Sequence, residues 1–356
     1  MIRSWFACVV LLLAAVLLGL AQNNDDLPSA PSAVNAPKPA PHKPAAPLPA
    51  PPSTSDAQAS APVASAKPAD DSNSVLREGD TTIIKTVNEV NVVFTVTDKH
   101  NHYVKDLAKT DFKVVDNNLP VSRIVDFHRE SDLPLQVGLL IDASNSIRDR
   151  FKFEQESAIE FLNDTIRRRY DQAFVIGFDV APELTQDFTD NTELLSQGIR
   201  MLHPGGGTAM FDAIYYACRD KLLKSSQTGS VRRAIILVSD GEDNESHVTR
   251  EEAIEMALRA NVIVYTISTN FPSGGDGDKV LRRIADATGG RAFEPFQLTD
   301  VANAFSEIQA DLRSQYQLSY RPENFAHDGA FRTIEITALH KGLKVRSRNG
   351  YYAPSE

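Results

Sequence analysis

Three short segments of this 356-residue chain carry side-chain oxygens next to apolar runs. They are "LLIDASNSIRDR" with Asp142, Ser144 and Ser146, "GGGTAMFDAI" with Thr208, and "LVSDGED" with Asp240. Burying carboxylates and hydroxyls is costly unless a cation or a hydrogen-bonding group satisfies them. Two carboxylates and three hydroxyls, without His or Cys, suit Mg²⁺, Mn²⁺ or Ca²⁺ better than zinc. The chemistry that these residues indicate is therefore the binding of one hard divalent ion.

Parallel strands buried on both faces must position these segments. Four continuous apolar runs have that pattern, namely "LQVGLLI", "QAFVIGF", "RAIILVS" and "NVIVYTIS". Helical stretches alternate with them, and one begins with a capping box formed by Thr249 and Glu252. Strands that alternate with helices predict an α/β fold with a doubly wound, mostly parallel sheet. Ligands bind such sheets at the carboxyl ends of the strands, where each of the three segments follows a strand or begins a helix.

The segments on either side of this central unit alternate polar and apolar residues, as half-buried strands do. Before it, "NVVFTVTD" and "DFKVVDNNLPVSRIVDF" predict strands, with Asn117 and Asn118 as a turn. After it, "YQLSYRP", "RTIEITALH" and "LKVRSRNGYY" alternate in the same way. Neither set is sufficient for a sandwich, so we expect the two sets to pack together as one flanking β-sandwich-like domain.

The motif D-x-S-x-S, followed by Thr in a glycine-rich segment and then by S-D-G-E-D, resembles the metal-ion-dependent adhesion site of von Willebrand factor type A (VWA) domains. Five residues match this motif position by position: Asp142, Ser144, Ser146, Thr208 and Asp240. The flanking strands, the "GYYAP" ending and the Pro-rich start resemble the VWA-related proteins of Acidobacteria. The resemblance covers the central half of the chain.

The resemblance implies a Rossmann-like fold and a role for each matched residue. Ser144 and Ser146 would ligate the ion directly, Thr208 directly or through water, and Asp142 and Asp240 largely through water. An Asp or Glu carboxylate of a protein partner would take the open coordination position. The last helix, 299–313, would either slide to couple occupancy to the rest of the chain or remain a static packed helix.

The N-terminus predicts export. Arg3 precedes an apolar run from Phe6 to Leu18, and small residues follow before Gln22, as in a signal peptide. A retained membrane anchor is the alternative. Twelve of the twenty prolines lie between residues 27 and 69, a composition typical of an extended linker. The expected parts are a signal peptide (1–21), a Pro/Ala-rich linker (22–74), a β-strand flank (75–130), the VWA domain (131–314) and a second β-strand flank (315–356).

These features together predict a non-enzymatic, exported binding protein that is periplasmic, on the cell surface or secreted. A metal-dependent hydrolase or phosphoryl-transfer enzyme and a structural envelope component are the alternatives. An enzyme would need a general base and phosphate-binding cations beside the metal, and Arg148 is the nearest cation in sequence. The formal charge of −10, with scattered basic residues, argues against nucleic acid as the main partner.

Several other features have simpler interpretations. We expect "DGEDNES" to be a solvated loop rather than a second cation site, and "SGGDGDK" to be a flexible turn. His203 and His247 are expected to be surface residues, with no evident acid to orient them. Cys218 is a lone thiol that we expect to lie in the core.

Overall fold

The computed structural model describes residues 89–129, 133–148, 150–225, 231–270 and 274–355, apart from the side chain of Ile147. The predicted signal peptide and linker lie outside these residues. Within the described ranges, no helix is both long enough and apolar enough to cross a membrane.

Fourteen strands and six α-helices make up the described structure. The strands are β1 (Val90–Thr97), β2 (Phe112–Asp116), β3 (Leu119–Pro120), β4 (Ile124–Arg129), β5 (Leu135–Asp142), β6 (Gln172–Phe178), β7 (Pro182–Thr189), β8 (Arg232–Ser239), β9 (Val262–Ser268), β10 (Ala292–Phe293), β11 (Gln315–Tyr320), β12 (Phe331–Ala338), β13 (Lys344–Ser347) and β14 (Gly350–Tyr352). The helices are α1 (Phe151–Thr165), α2 (Thr192–Arg200), α3 (Met210–Tyr216), α4 (Arg250–Arg259), α5 (Asp276–Thr288) and α6 (Asp300–Leu312).

The central sheet has six strands in the order β10-β9-β8-β5-β6-β7. Every neighbouring pair is parallel except β6 and β7, which are antiparallel. The four predicted apolar runs form β5, β6, β8 and β9, which lie side by side in the middle of the sheet. All eight residues of β5 are buried, as expected for a strand covered on both faces. The predicted α/β fold class is therefore confirmed.

Helices cover both faces of this sheet and give it two hydrophobic cores. One core contains apolar residues of α1, α2 and α6, and the other contains those of α3, α4 and α5. Cys218 is fully buried in the second core, where burial raises the pKa of its thiol well above the usual value. A helical layer on each face leaves the ends of the strands as the open edges of the sheet.

Two antiparallel sheets flank the central unit and combine strands from both sides of it in sequence. One has the order β13-β1-β11-β4 and the other the order β14-β12-β2-β3. They share a third core, in which the ring of Phe94 contacts those of Phe112 and Tyr316, with centroids 5.0 and 5.6 Å apart. Both sheets contain strands from before and after the central unit, so the extra antiparallel layers agree with the flanking part of the predicted fold class.

Helix ends follow the local signals of the sequence, with one exception. Thr249 accepts a hydrogen bond from the Glu252 N–H at 3.2 Å and Glu252 binds back, forming the predicted capping box of α4. Helix α5 ends at Gly289, whose φ of 83° requires the left-handed conformation. The prediction of a flexible turn at "SGGDGDK" is wrong in part, because its last four residues start α5 and Asp278 is buried there.

Candidate metal centre

Asp142 and Asp240 lie at the same edge of the central sheet. Strands β5 and β8 are parallel neighbours, Asp142 is the last residue of β5, and Asp240 follows the last residue of β8. The chain leaves β5 for β6 on one side and later returns to β8 on the other, so this is the switch point of the sheet. Asp142 is completely buried and Asp240 is 7% exposed.

Hydrogen bonds join four of the five predicted side chains. The Oγ atoms of Ser144 and Ser146 lie 2.9 Å apart, and the Ser146 hydroxyl donates to Asp240 Oδ2 at 2.7 Å. Asp142 Oδ1 accepts from the N–H of Ser144 at 2.9 Å, while Asp142 Oδ2 accepts from the hydroxyl of Ser239 at 2.7 Å. The structure therefore brings Asp142, Ser144, Ser146 and Asp240 into one cluster of oxygen atoms.

Thr208 is buried in the glycine-rich loop. This loop forms hydrogen bonds with the loop that follows β5 and with the loop that follows β8. The N–H of Gly205 donates to the carbonyl of Ala143 at 2.7 Å. Asn244 Oδ1 accepts from the N–H of Thr208 at 2.9 Å, and the N–H of Asn244 donates back to the Thr208 carbonyl at 3.0 Å. These hydrogen bonds fix the loop of Thr208 between the segments that carry the other four residues.

The segment "DGEDNES" is a loop in which Glu242, Asn244 and Glu245 are exposed, as predicted, but two of its other side chains bind the start of α3. Asp243 Oδ2 accepts from the N–H of Phe211 at 3.0 Å and from the hydroxyl of Ser246 at 2.7 Å. Ser246 Oγ in turn accepts from the N–H of Asp212 at 3.0 Å. The side chains of Asp243 and Ser246 therefore accept hydrogen bonds from N–H groups in the first turn of α3, which have no partner within the helix.

His247 lies on the surface as predicted, but an acid does contact it. Its Nδ1 is 2.9 Å from Asp212 Oδ2, and Asp212 Oδ1 accepts from the N–H groups of His247 and Val248 at 3.0 Å. The His247 side chain is 89% exposed. Asp212 therefore ties this loop to α3, while the imidazole is open to solvent rather than enclosed in a substrate pocket.

Two glycines let α5 approach the Asp240 loop closely. A Cβ at Gly277 would lie 2.0 Å from the carbonyl oxygen of Asp240, and a Cβ at Gly241 would lie 2.3 Å from the carbonyl oxygen of Gly277. Asn270 reinforces this contact by donating to the same Asp240 carbonyl at 2.7 Å. Both obstacles are backbone atoms, which cannot rotate away as a side chain can.

We expect Gly277→Ala to displace the Asp240 loop and weaken divalent-ion binding at least tenfold, although Gly277 supplies no ligand. Overpacking of this kind also costs about 1–3 kcal/mol of folding free energy. Calorimetric titration with Mg²⁺ and chemical denaturation measure the two effects. Gly275→Ala is the matched control, because a Cβ there has no atom within 4 Å and φ is an ordinary −73°. Equal Mg²⁺ affinity in both variants would contradict the expected role of this contact.

The site concentrates negative charge in a buried place. Burial raises the pKa of Asp142 to about 6, hydrogen bonds from Ser239 and Ser144 oppose this rise, and the charge of Asp240 adds to it. A buried carboxylate that repels a second carboxylate is unfavourable unless a cation compensates both. The electrostatics of the site therefore fit a bound cation.

Glu154 on α1 adds a third acidic group to this environment. Burial raises its pKa to about 8; Arg150 lowers it, and the charges of Asp142 and Asp240 raise it further. Neither carboxyl oxygen of Glu154 has a hydrogen-bond partner among the described residues, and Arg150 Nε lies 4.0 Å from Oε1. Glu154 carries no signal of this role in the sequence, because only the fold turns this face of α1 towards the site.

The donor atoms fit a small, hard ion. Mg²⁺–oxygen distances of 2.0–2.1 Å in an octahedron put neighbouring ligand oxygens about 3 Å apart, close to the 2.9 Å between the Ser144 and Ser146 hydroxyls. Within the described parts of the chain, no three His, Cys, Asp or Glu side chains group so that they could hold a metal by themselves. Hydroxyls would have to complete any metal site here, as the predicted five-residue set requires.

Comparison with known proteins gives a family for the central part of the chain. Residues 136–311 match the family model of the von Willebrand factor type A domain. Calcium-activated chloride channel regulator 1 of Bos taurus is 29% identical over 53% of this chain and 21% of its own length. An uncharacterized protein of Borreliella burgdorferi is 20% identical over 58% of this chain and 62% of its own length. The chain thus spans less than two thirds of either relative.

Among solved structures, a von Willebrand factor type A protein from Catenulispora acidiphila is similar, with a TM-score of 0.43 and 14% identity. The similar region covers 76% of this chain and 75% of that one.

Proposed function

Because residues 136–311 form a von Willebrand factor type A domain, we propose that the chain is an exported protein that binds an acidic group of a protein partner at a divalent ion. VWA domains generally mediate metal-dependent interactions between proteins. The observation that carries the proposal is the cluster of hydroxyl and carboxylate oxygens at the switch point of the sheet, joined by contacts of 2.7–2.9 Å. The relatives are only partly covered by this chain, so the proposal concerns this site rather than their whole activities.

In this proposal Ser144 and Ser146 contact Mg²⁺, or Mn²⁺ or Ca²⁺, through their hydroxyls, and Thr208 does so directly or through water. Asp142 and Asp240 act largely through water and neutralise part of the charge. With few charged groups in direct contact, the ion keeps a strong attraction for an external anion. A carboxylate of an Asp or Glu on the partner satisfies that attraction.

The N-terminal sequence supports the proposed location outside the cytoplasm, in the periplasm, on the cell surface or in the medium. If the apolar segment of residues 6–18 is retained, it tethers the chain to a membrane. The Pro-rich stretch that follows has a composition suited to separating the binding domain from such a surface.

An enzyme is less well supported than a binding module. Arg148, the cation expected nearest to the site, is exposed and donates to Asn145 Oδ1 at 3.0 Å. His247 and Asp212 form an imidazole–carboxylate pair such as a general base uses, but the imidazole is open to solvent. VWA domains are typically interaction modules, which also favours the binding function.

Peptide arrays test the proposal directly. Each array pairs peptides that present one Asp or Glu with copies in which Asn or Gln replaces the acid, and each is probed with the purified chain. We expect a subset of acidic peptides to bind in saturating Mg²⁺, and we expect EDTA or replacement of the acid to abolish this binding. Binding that persists in EDTA, or that does not distinguish Asp from Asn, would refute the proposed mode of recognition.

Two further readouts separate the alternatives. Release of product from peptide or phosphoester substrates, lost on Asp142→Asn, would indicate a metal-dependent enzyme. A large fall in melting temperature on adding EDTA, without any metal-dependent peptide binding, would indicate that the ion has a purely structural role.

A further inference from the structure

A polar cavity lies at the amino-terminal ends of the central strands, on the opposite edge of the sheet from the metal centre. It has a volume of about 230 Å³ and is lined by the start of β8, the turn before β9, the end of α6, and residues of β1 and β11 from the flanking sheet. Leu135 lines this cavity, whereas Asp142 at the other end of β5 belongs to the metal centre. Leu135 and Asp142 are seven residues apart on an extended strand, so the cavity lies about 23 Å from the metal centre.

The charge of this cavity is opposite to that of the protein. Three arginines line it, Arg232, Arg233 and Arg348, and its described lining contains no Asp or Glu. Side-chain amides from Asn91, Asn261, Gln315 and Gln317 provide further polar groups. In a chain with 47 acidic and 37 basic residues, a cavity lined by Arg233 and Arg348, neither of which forms an ion pair among the described residues, has a local excess of positive charge.

Two of these arginines have hydrogen-bonding capacity to spare. A guanidinium carries five N–H donors. Arg348 uses Nη1 on Asn261 Oδ1 at 2.5 Å and Nη2 on the carbonyl of Asn91 at 2.7 Å, and Arg233 uses Nη1 on the carbonyl of Ala260 at 3.2 Å. The Nε atoms of both are buried without a hydrogen-bond partner among the described residues. Neither side chain forms an ion pair within that part of the chain.

Only uncharged hydrogen-bond acceptors therefore compensate the burial of the Arg233 and Arg348 guanidinium groups. Arg348 is 9% exposed, and burial lowers its pKa to about 10, partly offset by the hydroxyls of Tyr320 and Tyr351. Burial likewise lowers the pKa of Arg233. Bringing a negative charge into the cavity would compensate both groups and supply the missing hydrogen-bond acceptors.

We propose that this cavity binds a small anion with a phosphate or carboxylate group. The planar guanidinium matches the paired oxygens of either group, and the side-chain amides can bind hydroxyls beside it. At about 30 Å³ per water, 230 Å³ holds roughly seven or eight waters, which is enough for a small metabolite and small for a drug-sized ligand. The site is distinct from the metal centre and does not depend on the proposed binding function.

The test uses the full chain after divalent ions have been removed on a chelating resin, so that neither a metal nor a soluble chelator contributes. Inorganic phosphate, citrate and glucose 6-phosphate are titrated by calorimetry at constant ionic strength, with chloride and glucose as controls. We expect saturable binding of at least one of the three anions and none of glucose. Comparing the three anions shows whether a phosphate group, several carboxylates or a phosphate with neighbouring hydroxyls is preferred.

Variants locate the binding. We expect Arg233→Gln to weaken it at least tenfold, and Gln317→Glu, which places a carboxylate on the partly exposed lining, to weaken it as much without removing a buried contact. Arg283→Gln on the exposed side of α5 makes the same change in charge as Arg233→Gln and should leave affinity unchanged. Asp142→Asn at the metal centre should also have no effect.

The proposal is wrong if none of the three anions binds saturably. It is equally wrong if Arg233→Gln and Gln317→Glu bind as tightly as the unaltered chain, or if Arg283→Gln loses as much affinity as Arg233→Gln.

Discussion

Asp142→Asn is expected to weaken Mg²⁺ binding about 100-fold, since residues that orient or neutralise a metal without direct contact contribute factors of roughly 10–100. The amide keeps an oxygen to accept the Ser144 N–H and an NH₂ group that can donate to the Ser239 hydroxyl, so the two hydrogen bonds of Asp142 can be retained. What is lost is the buried negative charge. Calorimetric titration of metal-free protein measures the affinity.

The fold should survive this change, because the substitution also removes the repulsion between Asp142 and Asp240. We expect the melting temperature of the metal-free protein to fall by no more than about 2 °C, a change of less than 1 kcal/mol for a domain of this size. Glu242→Gln, on an exposed side chain two residues after Asp240, is the matched control and should bind Mg²⁺ nearly as tightly as the unaltered chain. Similar losses of affinity in both variants would show that general negative charge, rather than Asp142, attracts the ion.

The second large effect is expected at the junction between the VWA domain and the flanking sheets. Asp311, fully buried in the last turn of α6, accepts hydrogen bonds from Tyr103 at 2.9 Å and Tyr265 at 2.8 Å, and also from Arg346 of β13. Arg346 donates further to Thr95 Oγ1 at 2.9 Å. One ion pair therefore connects the last helix, the central sheet and the flanking sheet.

Arg346→Met should destabilise the protein by about 3–5 kcal/mol, because it leaves the Asp311 carboxylate buried without its cation. At roughly 2–4 °C per kcal/mol, the melting temperature falls by about 10 °C. Combining Asp311→Asn with Arg346→Met removes both charges and should cost clearly less than the two single changes added together. Denaturant titration of the four proteins measures these differences.

An exposed ion pair of the same region provides the control. Arg321 lies 3.2 Å from Glu89, and its side chain is 58% exposed. Arg321→Met should change the free energy of unfolding by no more than about 0.5–1 kcal/mol, because solvent screens such pairs. If Arg346→Met were as mild as Arg321→Met, the buried network would not be what fastens α6 to the flanking sheet.

This network bears on the two possibilities for the last helix. The sequence allowed either a helix that slides with metal occupancy or a static one, and its stripe of apolar residues does not distinguish them. Asp311 ties the C-terminal end of the helix to two other elements, so sliding would have to break a buried ion pair. The structure thus gives a physical reason for the static alternative.

The strands that could be predicted from the sequence are those in which the order of apolar and polar residues reflects which faces of the strand are buried. Strands β5, β6, β8 and β9 are continuous apolar runs because both of their faces are covered, and β12 alternates because one of its faces is exposed. In β11 five of the six residues are buried, so its polar residues alternate without an exposed face. Strand β7, Pro182–Thr189, could not be predicted in this way, because neither of its faces is fully buried. It is an antiparallel edge strand of mostly half-buried residues, and "PELTQDFT" has neither a continuous nor a strictly alternating apolar pattern.

The candidate site was predictable only in part. Asp142, Ser144, Ser146 and Asp240 could be grouped because each follows a strand that ends at one edge, and the fold brings these four together. The residues that hold them in place could not be found from spacing. Ser239, Asn244, Glu154 and Gly277 act through contacts with segments 36 to 97 residues away in sequence, which exist only after folding.

Crystals soaked in Mn²⁺ would test the central claim most directly, because anomalous scattering locates the ion without assuming its ligands. We predict one strong peak at the carboxyl ends of β5 and β8, about 2.0–2.3 Å from the Oγ atoms of Ser144 and Ser146. Thr208, Asp142 and Asp240 should lie around the same peak, directly or through one water. A peak elsewhere, or none at this edge at saturating Mn²⁺, would contradict the proposal that these five side chains hold a divalent ion.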